Sequence, residues 1–145
     1  MNPVITCFEI DSKEQSYLQS HLPKEATVNF YSQDLSLDLI QKHPDTTHLV
    51  VFVYSQVTQE IIEALPNLQA IFTMSTGFDH IDIKSCTERQ ITVHSVPSYG
   101  ENTVAEHTFA LILSLSRRIP DSITRTSGLN FNPEGLVGFD LKEKT

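Results

Sequence analysis

His48-Leu-Val-Val-Phe-Val-Tyr54 constrains this chain more than any other stretch. Five consecutive apolar residues, Leu49 to Val53, are mostly β-branched or aromatic. The run is too short for a core helix, and it is apolar on successive residues, so both of its faces need cover. It therefore predicts a central strand of a sheet with helices on either side. The neighbouring sequence supplies the rest of such a sheet. Val4 to Ile10 and Thr27 to Tyr31 read as strands, with a helix between them that Ser12 is placed to cap and Pro23 ends. Leu35 to Lys42 has helical spacing and stops before Pro44. A short helix capped by Thr58 follows, then a strand over Leu68 to Met74, a helix near Ile81 to Thr87, and a last strand at Ile91-Thr-Val93. Alternation of this kind builds right-handed crossovers and a parallel sheet of about five strands.

The rhythm breaks at Pro97-Ser-Tyr-Gly-Glu-Asn-Thr103, a run of turn formers. A longer, more apolar helix follows over 103–119. Thr103-Val-Ala-Glu106 matches a capping box at its start, Arg117 and Arg118 fall in its last turn, and Pro120 is expected to stop it. Residues 121–145 read as loop. The expected organisation is a domain over 1–100, a linking helix over 101–120 and a tail over 121–145.

Charge narrows the function. Residues 1–100 carry 12 acids and 5 bases, and residues 101–145 carry 6 and 5. An acidic domain of this kind does not attract nucleic acid or anionic membrane, and an anionic ligand must be held by local dipoles or by charges supplied from elsewhere. No apolar run approaches the ~20 residues of a membrane span. Asp11 and Lys13 interrupt the first apolar run, which argues against a secretory leader. Cys7 and Cys86 form no C-x-x-C pair and no Cys/His cluster has metal spacing, so buried free thiols in a reducing cytoplasm are expected and no metal site is. A nucleophilic serine elbow, G-x-S-x-G, is absent. A receiver-type phosphorylation domain needs a lysine late in the fold, and residues 85–141 contain none.

Ser75-Thr-Gly-Phe-Asp-His80 leaves the fourth strand at the carboxyl edge of the predicted sheet, where parallel sheets bind ligands. Gly77 there reads two ways: a strand-to-helix turn, with Asp79 or Asp82 capping the next helix, or a positive-φ position that lets backbone N–H groups approach an anion. His80 beside two acids reads as a surface histidine, and Glu106 and His107 point differently around their helix.

Three strings taken together, TGFDHIDI, then ITVHSVPSYGENTVAEHTFALILSLSRR, then GFDLKEKT, resemble the D-isomer-specific 2-hydroxyacid dehydrogenases, in particular the D-lactate dehydrogenase-like branch. The resemblance covers residues 48–145 well and 1–47 in rhythm only. It implies a flavodoxin-like α/β substrate domain, one of two halves with the active site between them. It also implies that the Thr76 and Gly77 amides hold the carboxylate of a 2-hydroxy or 2-oxo acid, that Tyr54 and Tyr99 face the substrate, and that Thr103 faces the cofactor. Thr103 as helix cap stays open beside that role. In the family the glycine-rich dinucleotide fingerprint follows DLKEKT, and the catalytic histidine, its carboxylate partner and the substrate arginine lie beyond it. No G-x-G-x-x-G occurs in these 145 residues. The expectation is therefore a substrate-binding portion with no catalytic residue of its own, inactive alone. NAD or NADP would be held by a missing dinucleotide-binding half, and no cofactor would bind tightly here. A non-enzymatic interaction module of the same family is the alternative. The helix over 103–119, apolar around its circumference, is expected to self-associate or to be covered by the tail.

Overall fold

A computed structural model describes residues 2–144, which divide into two compact units, one ending at Tyr99 and one beginning at Gly100. The first unit alternates strand and helix throughout: β1 (Val4–Cys7), α1 (Ser12–His21), β2 (Thr27–Phe30), α2 (Leu37–Ile40), β3 (His48–Val51), α3 (Gln59–Glu63), β4 (Ala70–Thr73), α4 (Ile83–Glu88) and β5 (Thr92–His94). All pairings are parallel and the strand order is β2-β1-β3-β4-β5. This is the doubly wound, flavodoxin-like order.

The run that opened the sequence argument is the middle strand. Its side chains alternate: Leu49 and Val51 point into a core built with Phe8, Ile40, Ile62, Leu65 and Ile71, on the side of α2, α3 and α4. Val50 packs on the opposite face with Ile5, Cys7 and Ile10 and with Leu18 and Leu22 around α1. Burying each such side chain stabilises the fold by ~1.5–3 kcal/mol, which explains why both layers form around so few strands. Cys7 and Cys86 are buried free thiols, and burial pushes Cys7 up to about 12. Arg89 clamps the first core layer by donating to the carbonyls of Ile62 and Leu65 at the end of α3.

Two helix starts differ from the sequence expectation. Asp11, one residue before Ser12, caps α1: its carboxylate accepts from the amides of Lys13 (2.7 Å) and Glu14 (2.8 Å), and Glu14 accepts from the Asp11 amide. Asp11 with Glu14 three residues on closes the reciprocal box, although Ser12 with Gln15 offered the same pattern one residue later. Thr58 does cap α3.

The second unit holds α5 (Glu101–Ser116) and α6 (Ile119–Ser127). Gly100 stands at the start of α5 and accepts the Val104 amide at 2.9 Å. Thr103 therefore lies inside the first turn and caps nothing; the glycine turn winds into helix two residues earlier than the capping-box pattern suggests. Nor is the segment after Pro120 a loop from its outset. Arg118 takes a left-handed conformation (φ 57°) that ends one helix and begins the next, and Pro120 sits in the first turn of α6, where its missing N–H costs nothing. The remaining tail is ordered against α5. The Phe139 amide donates to the Ser116 carbonyl at 2.9 Å, and Arg117 pairs with Asp140 at 2.8 Å. Among the described residues no helix is long and apolar enough to cross a membrane.

Candidate functional site

In an open parallel sheet, ligands bind beyond the carboxyl ends of the strands, above all where the chain's winding reverses. With the order β2-β1-β3 that point lies between β1 and β3. Here it is filled from within. Glu9 follows β1 with φ 60°, a region a non-glycine residue rarely adopts. Its carboxylate accepts the amides of Phe52 (3.0 Å), Tyr54 (3.0 Å) and Ser55 (3.1 Å), the turn that leaves β3. The Leu35 amide donates to Ser55 Oγ at 3.0 Å and ties in a further segment. A cavity of about 660 Å³ opens beside this cluster, but Glu9, Asp11 and Asp34 stand on its wall. The amides of the turn after β3 are spent on Glu9, and the acids on the wall repel an anion.

The next loop along the edge, between β4 and α4, keeps its amides unspent and has a single acid, Asp79, on its cavity. It borders a cavity of about 360 Å³ lined by Val53, Gln56, Ser75, Gly77, Asp79 and His80. Among the described residues, the amides of Thr76, Gly77 and Phe78 donate to no protein acceptor. Under the loop runs a line of hydroxyls. Ser75 Oγ donates to the Gly77 carbonyl at 2.7 Å, Thr73 Oγ1 lies 2.6 Å from Ser75 Oγ, and His80 Nε2 lies 3.1 Å from Thr73 Oγ1. Thr73 and Ser75 are both buried. The Val96 amide donates to the Ser75 carbonyl at 3.0 Å and holds the segment after β5 beside it. Asp82 caps α4, taking the Ser85 amide at 3.0 Å and the Ser85 hydroxyl at 2.8 Å, and these bonds hold its carboxyl below the ordinary aspartate range. Successive free amides at the edge of a sheet can receive two oxygens of a carboxylate.

Gly77 is not in the left-handed region; Gly135 is the positive-φ glycine among the described residues. A Cβ at Gly77 would meet only the Asp79 carboxylate, at 3.7 Å. Conformation does not demand glycine there, and what remains is close approach to the exposed backbone. Thr76 and Gly77 share the open loop. Tyr54 has its amide on Glu9 and an exposed ring on the acidic cavity rather than on the loop cavity. Tyr99, also exposed, ends the first unit, and Thr103 belongs to the second. Sequence reasoning missed Glu9, Thr73 and Ser75, and it took His80 for a plain surface residue. One signal was present: Thr73 and Ser75 sit two apart at the end of an apolar strand, so both hydroxyls face one side and one of them continues the core face.

A doubly wound parallel domain with an open loop of unspent amides after its fourth strand is the class of protein that the fold and this edge define. The family follows from comparison. Residues 4–132 match the model of the D-isomer specific 2-hydroxyacid dehydrogenase catalytic domain, and the chain belongs to that family. It is 40% identical over 112 residues to a glyoxylate reductase of Thermofilum pendens, covering 74% of this chain and 33% of that one. It is 30% identical over 147 residues to 2-hydroxyacid dehydrogenase A of Aspergillus oryzae, covering 97% and 42%. Its structure is similar to that of a D-lactate dehydrogenase from Aquifex aeolicus complexed with NAD and lactic acid, with TM-score 0.88, 32% identity and coverage of 94% of this chain and 41% of that one. The chain thus spans well under half the length of the relatives it matches.

Proposed function

We propose that this chain is the substrate-side portion of an NAD(P)-dependent oxidoreductase that interconverts D-2-hydroxy acids and 2-oxo acids, and that the amides of Thr76 and Gly77 hold the substrate carboxylate. The observation that carries this is the row of amides at residues 76–78 with no acceptor among the described residues, on the carboxyl edge of the sheet. Carboxylates are common to the lactic acid bound by the Aquifex relative and the glyoxylate named for the Thermofilum one. Tyr99 is the side chain proposed to border the substrate and Thr103 to face the cofactor, whereas the Tyr54 ring lies on the acidic cavity and is not assigned to the carboxylate.

The residues described here do not fit a dinucleotide. No glycine-rich fingerprint is present to place a pyrophosphate at a helix N-terminus, and the 660 Å³ cavity at the sheet edge is walled by acids. NAD or NADP is therefore proposed to be held outside residues 1–145, together with the acid/base that moves the proton at C2. What this chain contributes is binding and orientation of the acid. The two buried free thiols suit a reducing, cytoplasmic setting.

Joining residues 1–145 in frame to the remaining length of the Aquifex relative tests the proposal. The chimera is expected to oxidise NADH with glyoxylate or pyruvate, while the chain alone shows no turnover above background. A soluble, folded chimera without activity, or turnover by the chain alone, contradicts it.

A further inference from the structure

The hydroxyl line beneath the loop fixes its own polarity. A carbonyl oxygen only accepts, so Ser75 spends its single proton on the Gly77 carbonyl. Ser75 Oγ and Thr73 Oγ1 lie 2.6 Å apart, a distance that requires a proton between them. That proton must come from Thr73. Thr73 then has none left for His80, so His80 Nε2, 3.1 Å away, must be the donor. Three bonds run in one direction, from His80 through Thr73 and Ser75 to the Gly77 carbonyl. The head of the line is itself fixed in place. The His80 carbonyl accepts the Val57 amide at 2.8 Å, and the Asp82 amide donates to the Val57 carbonyl at 2.9 Å, so the segment carrying the ring is bridged to a buried residue of the preceding loop.

The consequence falls on the backbone that meets the ligand. The peptide between Gly77 and Phe78 is planar, so a carbonyl held from below by Ser75 sends the Phe78 N–H the opposite way. That N–H donates to no protein acceptor among the described residues. We propose that His80, Thr73 and Ser75 are positioning residues that lock the Gly77–Phe78 peptide, so that the Phe78 amide joins those of Thr76 and Gly77 as a donor to the bound carboxylate. The proposal rests on the carboxylate reading of this loop, and it assigns His80 a task through the loop backbone rather than at the reacting atoms. A loop whose amides are aimed before binding loses less on association than one that must reorient.

Two measurements on the chain as it stands separate the relay from the ligand. Imidazole nitrogen correlation spectra, recorded well above the ordinary histidine range, are expected to show His80 as the Nε2–H tautomer; the Nδ1–H tautomer overturns the relay whether or not any acid binds. Oxamate titration of the amide spectrum then reads the function. Ser75→Ala and His80→Leu are each expected to weaken binding about five-fold, the worth of about one hydrogen bond. The double variant is expected to be no weaker than either single one, because each breaks the same line. His80→Gln, which keeps a donor at similar reach, is expected to restore binding. A double variant weakened about twenty-five-fold, as two independent contacts would give, overturns the proposal even where all variants fold. Wild-type amides 76–78 that ignore oxamate while His80 keeps the Nε2–H tautomer refute the carboxylate reading and leave the relay as a purely structural line, which also ends its proposed role in binding.

Discussion

Glu9 shows how one side chain selects the site. The reversal point between β1 and β3 is where a doubly wound sheet ordinarily receives a ligand. This chain places its own carboxylate there, on three amides of the turn after β3. Those amides are lost to an external anion, and the adjoining loop keeps free the amides proposed to receive one. Removing the carboxylate strands several partly buried donors at once. Glu9→Ala is expected to lower stability by about 3 kcal/mol, since bonds to a charged acceptor are each worth ~1.5–3 kcal/mol but share one anchoring cost. The change should appear as a shift of the urea midpoint with the slope retained. A loss below about 1 kcal/mol would show that water replaces the carboxylate freely. None of this was legible in the sequence, where Glu9 is a single acid within the strand expected over Val4 to Ile10. Its partners lie 43 to 46 residues away, and no local pattern encodes a contact of that span.

At the scale of elements, legibility tracked how local the cause was. The five strands and their helices follow from runs of apolar residues and from Pro and Asp punctuation, and they appear where those signals place them, shortened at the ends. The helix starts were harder. Asp11 and Ser12 are adjacent candidates, each with a box partner three residues on in Glu14 or Gln15, so the local pattern does not choose between them. At α5 a sound capping-box pattern lost to a glycine turn that winds earlier. The tail hid a helix because α6 is short and polar, and its start depends on a left-handed Arg118 that no pattern announces. Gly138 is the residue that docks the rest of the tail. A Cβ there would lie 2.1 Å from the Ser116 carbonyl oxygen. Gly138→Ala is therefore expected to release the segment around Phe139 from the end of α5. The Phe139 amide, protected by its bond to Ser116, should then exchange freely with solvent while the first unit is unchanged. Retained protection would contradict the docking.

For the whole molecule the open question is what meets α5. Phe109, Leu111, Leu113 and Leu115 are all exposed, although the tail folds back on the end of the helix. The tail therefore does not cover them, which leaves the other sequence expectation, association of two chains through this helix. An exposed apolar patch of a few hundred Å² favours association. Light scattering across a concentration series is expected to show a dimer, and Leu111→Glu to return it to monomer with the first unit folded. A wild-type chain that stays monomeric at high concentration contradicts this.

The carboxylate loop is the claim on which the functional account stands. Two to three amides at ~1 kcal/mol net each support binding no tighter than millimolar without the rest of an active site. Titrating the isotopically labelled chain with oxamate and following its amide resonances tests this most directly. The account predicts saturable shifts centred on Thr76, Gly77 and Phe78, with the Glu9-bound amides of Phe52, Tyr54 and Ser55 unmoved. Shifts confined to the turn after β3, or none at 76–78, would contradict it.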